Sequence, residues 1–370
     1  MLMPRRPPPI SYCTSRDGVR IAFSTAGSGP PLVRAAHWIS HLEADWDNPV
    51  WRPWLKQMTR RHTLVRYDTR GCGLSDSDGV EFSMTKYVED LEAVVNAAGL
   101  DRFALMGMSG GGALAVAYAA THPDRVSQLV LYGAFTRGLV ARSTTAEQQA
   151  EAETLFRLIE QGWSKEDPTF RQFFAAQFLP DGDPDHQRAF NELMRHSSTA
   201  HNAASLMRVW CQADVRELAL RVRCPALVGH PRGDLRVPFE EGRSLARLIP
   251  GARFVPLDTR NHIVLDTDPA WDNWWCEFEA FLSPPADAPG PQPASPPAAR
   301  PTLAGLTPRE HEVLDQVARG LDNQAIAKRL SISEKTVRNQ VSLILNKLGL
   351  QRRSQAIVLA RERGFGLSPP

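Results

Sequence analysis

Cysteine is scarce and scattered. Cys13, Cys72, Cys211, Cys224 and Cys276 are odd in number and form no C-x-x-C pair, which argues against a disulfide framework and a cysteine zinc site and fits a reducing cytoplasm. Long apolar runs are lacking too. The 18-residue uncharged stretch from Phe103 to Ala120 only touches the lower limit for a membrane span. Its centre, Gly107-Met108-Ser109-Gly110-Gly111-Gly112, reads as a strand, a tight turn and a buried helix. No apolar segment of signal-peptide length follows the basic, proline-rich start, Met1 to Pro9. Neither secretion nor a membrane partner is expected, and no residue pattern demands a metal or a cofactor.

A dominant charge is also missing, with 43 Lys/Arg against 41 Asp/Glu, but the near-balance hides an asymmetry. From Leu303 onward there are 11 basic and 6 acidic residues, net +5, which leaves the preceding 302 residues at net −3. A small basic module on a slightly acidic body suggests that the tail meets a polyanion. Between Pro284 and Pro301 stand 8 prolines in 18 residues, a composition that favours extended, semi-rigid spacers. The expected organisation is a short N-terminal segment (1–10), a large domain (11–283), a linker (284–302) and a small domain (303–366). A chain of 370 residues accommodates that division, and 42% hydrophobic with 23% charged residues is ordinary for folded domains.

In the large domain, β-rich runs (64–67, 103–106, 127–132, 226–228, 253–255) alternate with helical stretches (84–98, 112–120, 238–248). This order predicts an α/β fold, a mainly parallel sheet with helices on both faces. The alternation stops from about Ala134 to Arg221, where helical, aromatic-bearing segments imply a cap over the carboxyl edge of the sheet. A final amphipathic helix carries Trp271, Trp274, Trp275 and Phe278, best read as core.

Gly107-Met108-Ser109-Gly110-Gly111 follows a strand and opens a helix, the context of a G-x-S-x-G nucleophile elbow. Glycines suit it because the serine occupies a strained turn where a neighbouring Cβ would collide with backbone. A plain glycine turn is the simpler alternative. A dinucleotide loop built on Gly110, Gly112 and Ala115 would need an acidic residue after the next strand, where Leu131-Tyr132-Gly133 stands instead. A serine nucleophile needs a base, and the base a carboxylate. Asp234 follows the 226–228 strand and His262 the 253–255 strand, so Ser109, Asp234 and His262 would converge on one sheet edge. His37, His41, His201 and His230 read as ordinary or pocket-lining residues. The aromatic cap suits an apolar small molecule with one polar group, such as an ester, thioester or lactone.

With Arg66-Tyr67-Asp68-Thr69-Arg70-Gly71-Cys72-Gly73-Leu74-Ser75-Asp76 added to these motifs, the region from about Ser11 to Ser283 resembles the α/β-hydrolase superfamily. The resemblance implies an oxyanion hole from the backbone N–H of Gly110 and a second N–H after an early strand. Hydrolases often carry His-Gly there; this chain has Ala36-His37-Trp38, which departs from that pattern and makes Trp38 the candidate donor.

In the tail, Thr307-Pro308-Arg309-Glu310 is a capping box with proline at the first helical position. One helix runs to about Arg319 and Gly320 ends it. A second holds Gln324 to Leu330, and a third, capped by Ser333, runs from Glu334 to Leu348, a helix-turn-helix arrangement. Val337, Val341, Leu345 and Leu348 face inward. Lys335, Thr336, Arg338, Asn339 and Ser342 would meet base edges and phosphates, with Lys347, Arg352 and Arg353 on the backbone. A protein-binding helical module is the alternative.

Residues 306–364 resemble the LuxR-type helix-turn-helix domain of bacterial transcription regulators, carried by LTPREHEVL, GLDNQAIAKRL, SEKTVRNQVSLILNKLG and RRSQAIVLA. Asp322, Ala325 and Gln340 depart from the usual serine, glutamate and histidine, which bears on helix packing or phosphate contacts. The resemblance implies double-stranded DNA as a partner and dimerisation through the last helix, Ser354 to Arg363, giving a homodimer that reads half-sites roughly 34 Å apart. Together these readings imply a cytoplasmic regulator that senses a small molecule, with an active serine hydrolase as the alternative.

Overall fold

The computed structural model describes residues 6–165, 169–282 and 306–330, together with residues 332–334, 336, 337, 340, 341, 344, 356, 359, 360 and 365. The chain divides into two compact units, Met1–Ala288 and Pro289–Pro370. The linker expected at 284–302 lies outside the described residues.

The first unit is built on an eight-stranded sheet: β1 (Ile10–Thr14), β2 (Arg20–Gly27), β3 (Pro31–Arg34), β4 (Thr63–Tyr67), β5 (Phe103–Met108), β6 (Val126–Tyr132), β7 (Ala226–Pro231) and β8 (Arg253–Leu257), in the order β1-β2-β4-β3-β5-β6-β7-β8. The β1/β2 and β2/β4 pairs are antiparallel and all later pairs parallel. Strand β5 is buried along its whole length, as expected for a central strand covered on both faces. The helix Gly110–Thr121 beside it is apolar all round and buried up to Ala120 for the same reason.

The last helix, Trp271–Leu282, buries Trp271, Trp274, Trp275 and Phe278. Trp271 and Trp275 lie 5.9 and 5.0 Å, centroid to centroid, from Trp54 of the helix Trp51–Arg61. Such edge-on aromatic pairs each add about 0.5–1.5 kcal/mol beyond area burial. They anchor the sheet flank from which β7 and β8 project their functional loops.

The region between β6 and β7 is helical: Leu139–Arg142, Ala146–Gly162, Thr169–Phe178, Pro184–Ser197, Ala200–Gln212 and Arg216–Ala219. Thr145, Asp183 and Thr199 cap three of these helices, each side chain accepting the N–H three residues on. The entry and exit of the insertion are stitched together by a bridge between Arg137 and Asp214 and by Gly138 N–H donating to the Ala213 carbonyl at 2.8 Å. Buried Glu241 accepts the backbone N–H of Thr136 and Arg137 at 3.1 and 2.9 Å. The cap is therefore fixed to the core at its neck.

The second unit, taken by itself, has the capping box as expected: Glu310 N–H donates to Thr307 Oγ1 at 3.3 Å and Thr307 N–H to the Glu310 carboxylate at 2.7 Å. It starts the helix Pro308–Ala318; Gly320 follows at φ +82°. The next helix, Asn323–Leu330, begins one residue earlier than expected because Asp322 Oδ1 accepts the Ala325 N–H at 2.8 Å. The aspartate that departs from the LuxR pattern thus serves as an N-cap. Val337, with Val313, Leu314, Val317 and Ile326, forms a small core.

Candidate active site

Strands β3, β5, β7 and β8 run parallel, so their carboxyl ends share one edge of the sheet, and each expected residue follows one of those ends. Ser109 comes directly after β5. At φ 51°, ψ −124° it is the one non-glycine with positive φ among the described residues, the strained turn expected of an elbow. The flanking glycines are sterically required. A Cβ on Gly107 would stand 2.4 Å from the Gly111 carbonyl oxygen, and one on Gly111 would stand 2.7 Å from that of Ala36. The helix starts at Gly110, two residues earlier than the sequence suggested, so its N-terminal N–H groups and positive dipole end lie beside the serine.

His262 follows β8, with its backbone N–H on the Phe178 carbonyl at 2.9 Å and its ring edge-on to Phe178 at 5.3 Å. Its Nδ1 lies 2.7 Å from Asp234 Oδ2. The other carboxylate oxygen accepts the N–H of Arg236 and Val237 at 2.7 and 2.9 Å, and the Asp234 side chain is fully shielded from solvent. Burial alone would raise this carboxyl. The positive charge and hydrogen bond of His262, with smaller contributions from His230 and the Val237 N–H, outweigh it and bring the pKa below the ordinary value. Asp234 is an anion aimed at His262.

Ser109 and His262 both line a small apolar cavity of about 30 Å3, with His37, Trp38, Trp51 and Phe178 around them. Ser109 also opens into a larger cavity of about 690 Å3 under the cap, shared with Gly110, Trp38, Phe178 and Trp210. A volume of that order suits a small organic molecule. Of the cap aromatics, Phe173, Phe178 and Trp210 line this larger space and Phe190 the smaller one, whereas Phe156, Trp163 and Phe174 are buried in packing.

Trp38 sits on the loop after β3. Its indole N–H donates to the Ala203 carbonyl of the cap at 3.1 Å. The loop is tied down by buried Asp68, which accepts Ser40 Oγ–H at 2.8 Å and the N–H of Leu42 and Leu74 at 3.1 and 3.0 Å. The long 66–76 motif therefore shapes the loop that carries Trp38 and supplies no reacting group itself.

Two of the histidines read from sequence as ordinary or pocket-lining lie close to Asp234 and His262: His37 on the wall of the smaller cavity and His230 beside Asp234. His230, at the end of β7, donates from Nε2 to the Val237 carbonyl at 3.1 Å and lies 3.6 Å from Asp234 Oδ2. Burial pushes its pKa down despite that carboxylate. His37 stacks on Trp51 at 4.9 Å. Burial, then the charges of Arg34 and His262, hold it well below the usual histidine value, hence neutral. Position at a strand end was the available signal for His230. Arg142, Arg236 and Gln177, which line the larger cavity, had none.

Of the candidate DNA contacts, Thr336 is described: it is exposed, its N–H donates to Ser333 Oγ at 3.1 Å, and Ser333 caps the third helix as expected. Lys335, Arg338, Asn339, Ser342, Lys347, Arg352 and Arg353 lie outside the described residues. Among the described residues no cluster of three or more His, Cys, Asp or Glu could hold a metal ion, and no helix is long and apolar enough to cross a membrane. The five cysteines are unpaired.

Residues 42–269 match the alpha/beta hydrolase fold family, and residues 304–360 match the luxR family of bacterial regulatory proteins. A pyrrolizixenacetamide deacetylase of Xenorhabdus hominickii is 25% identical over 246 residues, 65% of this chain and 87% of that protein. Among solved structures, an esterase from Exiguobacterium antarcticum superimposes with a TM-score of 0.63 at 22% identity, covering 74% of this chain and 98% of its own. A bromoperoxidase from Bacillus anthracis gives 0.64 at 19% identity, covering 74% and 99%. Sheet order, elbow and family match agree: the chain belongs to the alpha/beta hydrolase fold family and carries a LuxR-type DNA-binding domain on its carboxyl side.

Proposed function

We propose that this protein is a cytoplasmic, ligand-responsive transcription regulator whose hydrolase domain binds and hydrolyses a small acyl compound, while its LuxR-type domain binds DNA as a homodimer. The observation that supports hydrolysis best is the contact between His262 Nδ1 and Asp234 Oδ2 at 2.7 Å, with His262 and Ser109 on one cavity wall. Binding alone would not require all three residues.

In this reading the Ser109 hydroxyl attacks the acyl carbon as His262 Nε2 takes its proton, and His262 returns that proton to the leaving alcohol or amine. Water then releases the acid from Ser109 by the same relay. Asp234 holds the ring tautomer, and the N–H groups of Gly110 and Trp38 receive the oxyanion. The deacetylase and esterase relatives act by name on acyl bonds, which favours an ester, lactone or amide. Exposed Leu158, Phe173 and Leu235 on the larger cavity favour an apolar body. DNA reading falls to Lys335, Thr336, Arg338, Asn339 and Ser342, with Lys347, Arg352 and Arg353 on phosphates.

Full-length protein treated with a fluorophosphonate should gain one adduct by intact mass, and Ser109→Ala none. A labelled duplex carrying the operator should bind with salt-sensitive affinity that shifts when an ester or lactone is added, and Arg338→Ala should lose sequence preference. No adduct on the wild type would overturn hydrolysis, and no DNA affinity at low salt would overturn the regulator. The second reading, an active hydrolase with the DNA-binding tail as a secondary module, is favoured by the complete Ser109, His262, Asp234 set, and predicts turnover with DNA affinity indifferent to substrate.

A further inference from the structure

The larger cavity beside Ser109 is lined by two arginines, Arg236 and Arg142, that form no ion pair among the described residues. Arg236 stands two residues after Asp234. Its Nη1 donates to Gln177 Oε1 at 3.2 Å, Nη2 lies 3.1 Å from Met207 Sδ, and the guanidinium carbon stands 5.9 and 5.5 Å from the ring centres of Phe174 and Phe178. All four partners are neutral. Arg142 donates Nη1 to the Arg137 carbonyl at 3.3 Å. Among the described residues neither guanidinium forms an ion pair.

The surrounding carboxylates are committed elsewhere or turned to water. Asp234 is occupied by His262 and two backbone N–H groups, and Glu241 by Thr136, Arg137 N–H and, at 3.6 Å, the Arg137 guanidinium. Glu147 and Glu151 line the cavity but are exposed. Buried Arg171 also lacks an ion pair among the described residues but donates Nη1 to the Trp163 and Lys165 carbonyls at 3.0 and 2.6 Å, away from this cavity's lining, whereas three other buried arginines meet carboxylates. Arg34 meets Asp45 at 3.1 Å, Arg66 meets Asp45 at 3.4 Å, and Arg70 meets Asp90 at 2.6 Å and Asp17 at 2.7 Å.

Unpaired cations in a partly desolvated cavity favour whatever anion enters, and the planar guanidinium matches a carboxylate. Burial is the first cause lowering both arginines' pKa values and Arg142 also repels Arg236, while the charge of Asp234 on both and of Glu241 on Arg142 opposes the shift without closing an ion pair. Both stay protonated at neutral pH.

We propose that the compound held in this cavity carries a carboxylate, bound by Arg236 with Arg142 beside it, while Ser109 faces a separate acyl carbon of the same molecule. The substrate class becomes an ω-carboxy ester, amide or lactone. This rests on the hydrolase reading for the acyl bond, but the anion site is independent of whether that bond is cut.

The test uses full-length Ser109→Ala protein, so that nothing is consumed, and follows tryptophan fluorescence. The mono-4-nitrophenyl esters of adipic and suberic acid are compared with 4-nitrophenyl hexanoate and octanoate, in which a methyl replaces the distal carboxylate. At least one carboxylate ester should bind tenfold or more tightly than its neutral match. The preference should shrink in high salt, fall at least tenfold in Arg236→Gln, fall less in Arg142→Gln, and persist in Arg236→Lys. Equal or tighter binding of the neutral esters, no binding of either kind, or a preference that survives the Arg142→Gln/Arg236→Gln double variant overturns the proposal. Should Arg236→Gln prove unfolded by circular dichroism, the unsubstituted pocket comparison and Arg142→Gln still decide. Turnover of hexanoate by the Ser109 protein is measured separately. Turnover without carboxylate preference refutes the anion site alone, and carboxylate preference without turnover of any ester refutes hydrolysis alone.

Discussion

Replacing Asp234 with asparagine isolates what the carboxylate does for His262. In the native chain one oxygen accepts the N–H of Arg236 and Val237 at 2.7 and 2.9 Å, and the other lies 2.7 Å from His262 Nδ1. An asparagine oxygen can keep both backbone bonds, which leaves its amide –NH2 facing Nδ1. That group donates, so Nδ1 has to accept and the ring proton moves to Nε2, the atom that must receive the Ser109 proton. The expected loss in kcat is on the order of 10^4, as when other serine triads receive this change, equivalent to about 5.5 kcal/mol at about 1.4 kcal/mol per decade.

Stability should suffer far less, because the two backbone N–H groups stay satisfied and only one charge-assisted bond is lost, worth about 1.5–3 kcal/mol. Asp234→Ala would orphan those two N–H groups as well, each costing about 1–3 kcal/mol in a buried setting. Steady-state hydrolysis of 4-nitrophenyl hexanoate, fluorophosphonate labelling rate and urea unfolding of the wild type and both variants separate the two effects. A folded Asp234→Asn protein with kcat within tenfold of wild type would refute the tautomer argument and make the His262–Asp234 contact a structural one.

Gly107→Ala should cost about 1–3 kcal/mol or more in urea unfolding, because its Cβ would stand 2.4 Å from the Gly111 carbonyl and 2.7 Å from Ala115 Cβ. Gly79→Ala, with nothing within 4 Å but a φ of +66°, should cost only about 1–2 kcal/mol. His37 is held neutral in the folded protein but binds a proton below about pH 6.5 when unfolded. Wild-type stability relative to His37→Gln should therefore fall by up to about 1.4 kcal/mol per pH unit below that value and be flat above it, measured as the difference between urea curves from pH 5 to 8; a flat difference would show His37 titrating normally. Thr307→Ala removes the capping-box acceptor of the Glu310 N–H at 3.3 Å and should cost about 1 kcal/mol. Amide exchange across 308–318 should then quicken about fivefold, and unchanged protection would count against the cap.

The elements readable from sequence were those whose local chemistry and long-range role coincide. Strands β4 to β8 are short apolar, β-rich runs, and all five were expected. β1 and β2 were not, and β3 was expected only as the early strand that the resemblance places before Ala36. β1 has no fully buried residue, and β3 is four residues long and ends in Arg34, whose burial makes sense only once Asp45 is known to lie 3.1 Å away. The elbow was legible because backbone collisions at Gly107 and Gly111 restrict the residue type. Asp234 and His262 were legible from their places after strands. Their 2.7 Å contact is a product of the parallel pairing of β7 and β8.

Arg236 marks where such reading stops, and the reason is physical. A side chain two residues beyond a turn aspartate is, in sequence, an ordinary surface arginine. It becomes an unpaired cation in a cavity only because Gln177, Met207, Phe174 and Phe178 reach it from the cap helices Thr169–Phe178 and Ala200–Gln212. The triad lies on the sheet edge, where strand order dictates position, whereas the proposed carboxylate site lies between that edge and the cap. On the proposed reading the reacting groups come from the sheet edge, whereas Arg142 and the side chains that hold Arg236 come from the cap. If the proposed site is correct, changes on the cap side of the cavity should alter which compound is bound while leaving the Asp234–His262 geometry intact, a result that the binding comparison of carboxylate and neutral esters would read directly.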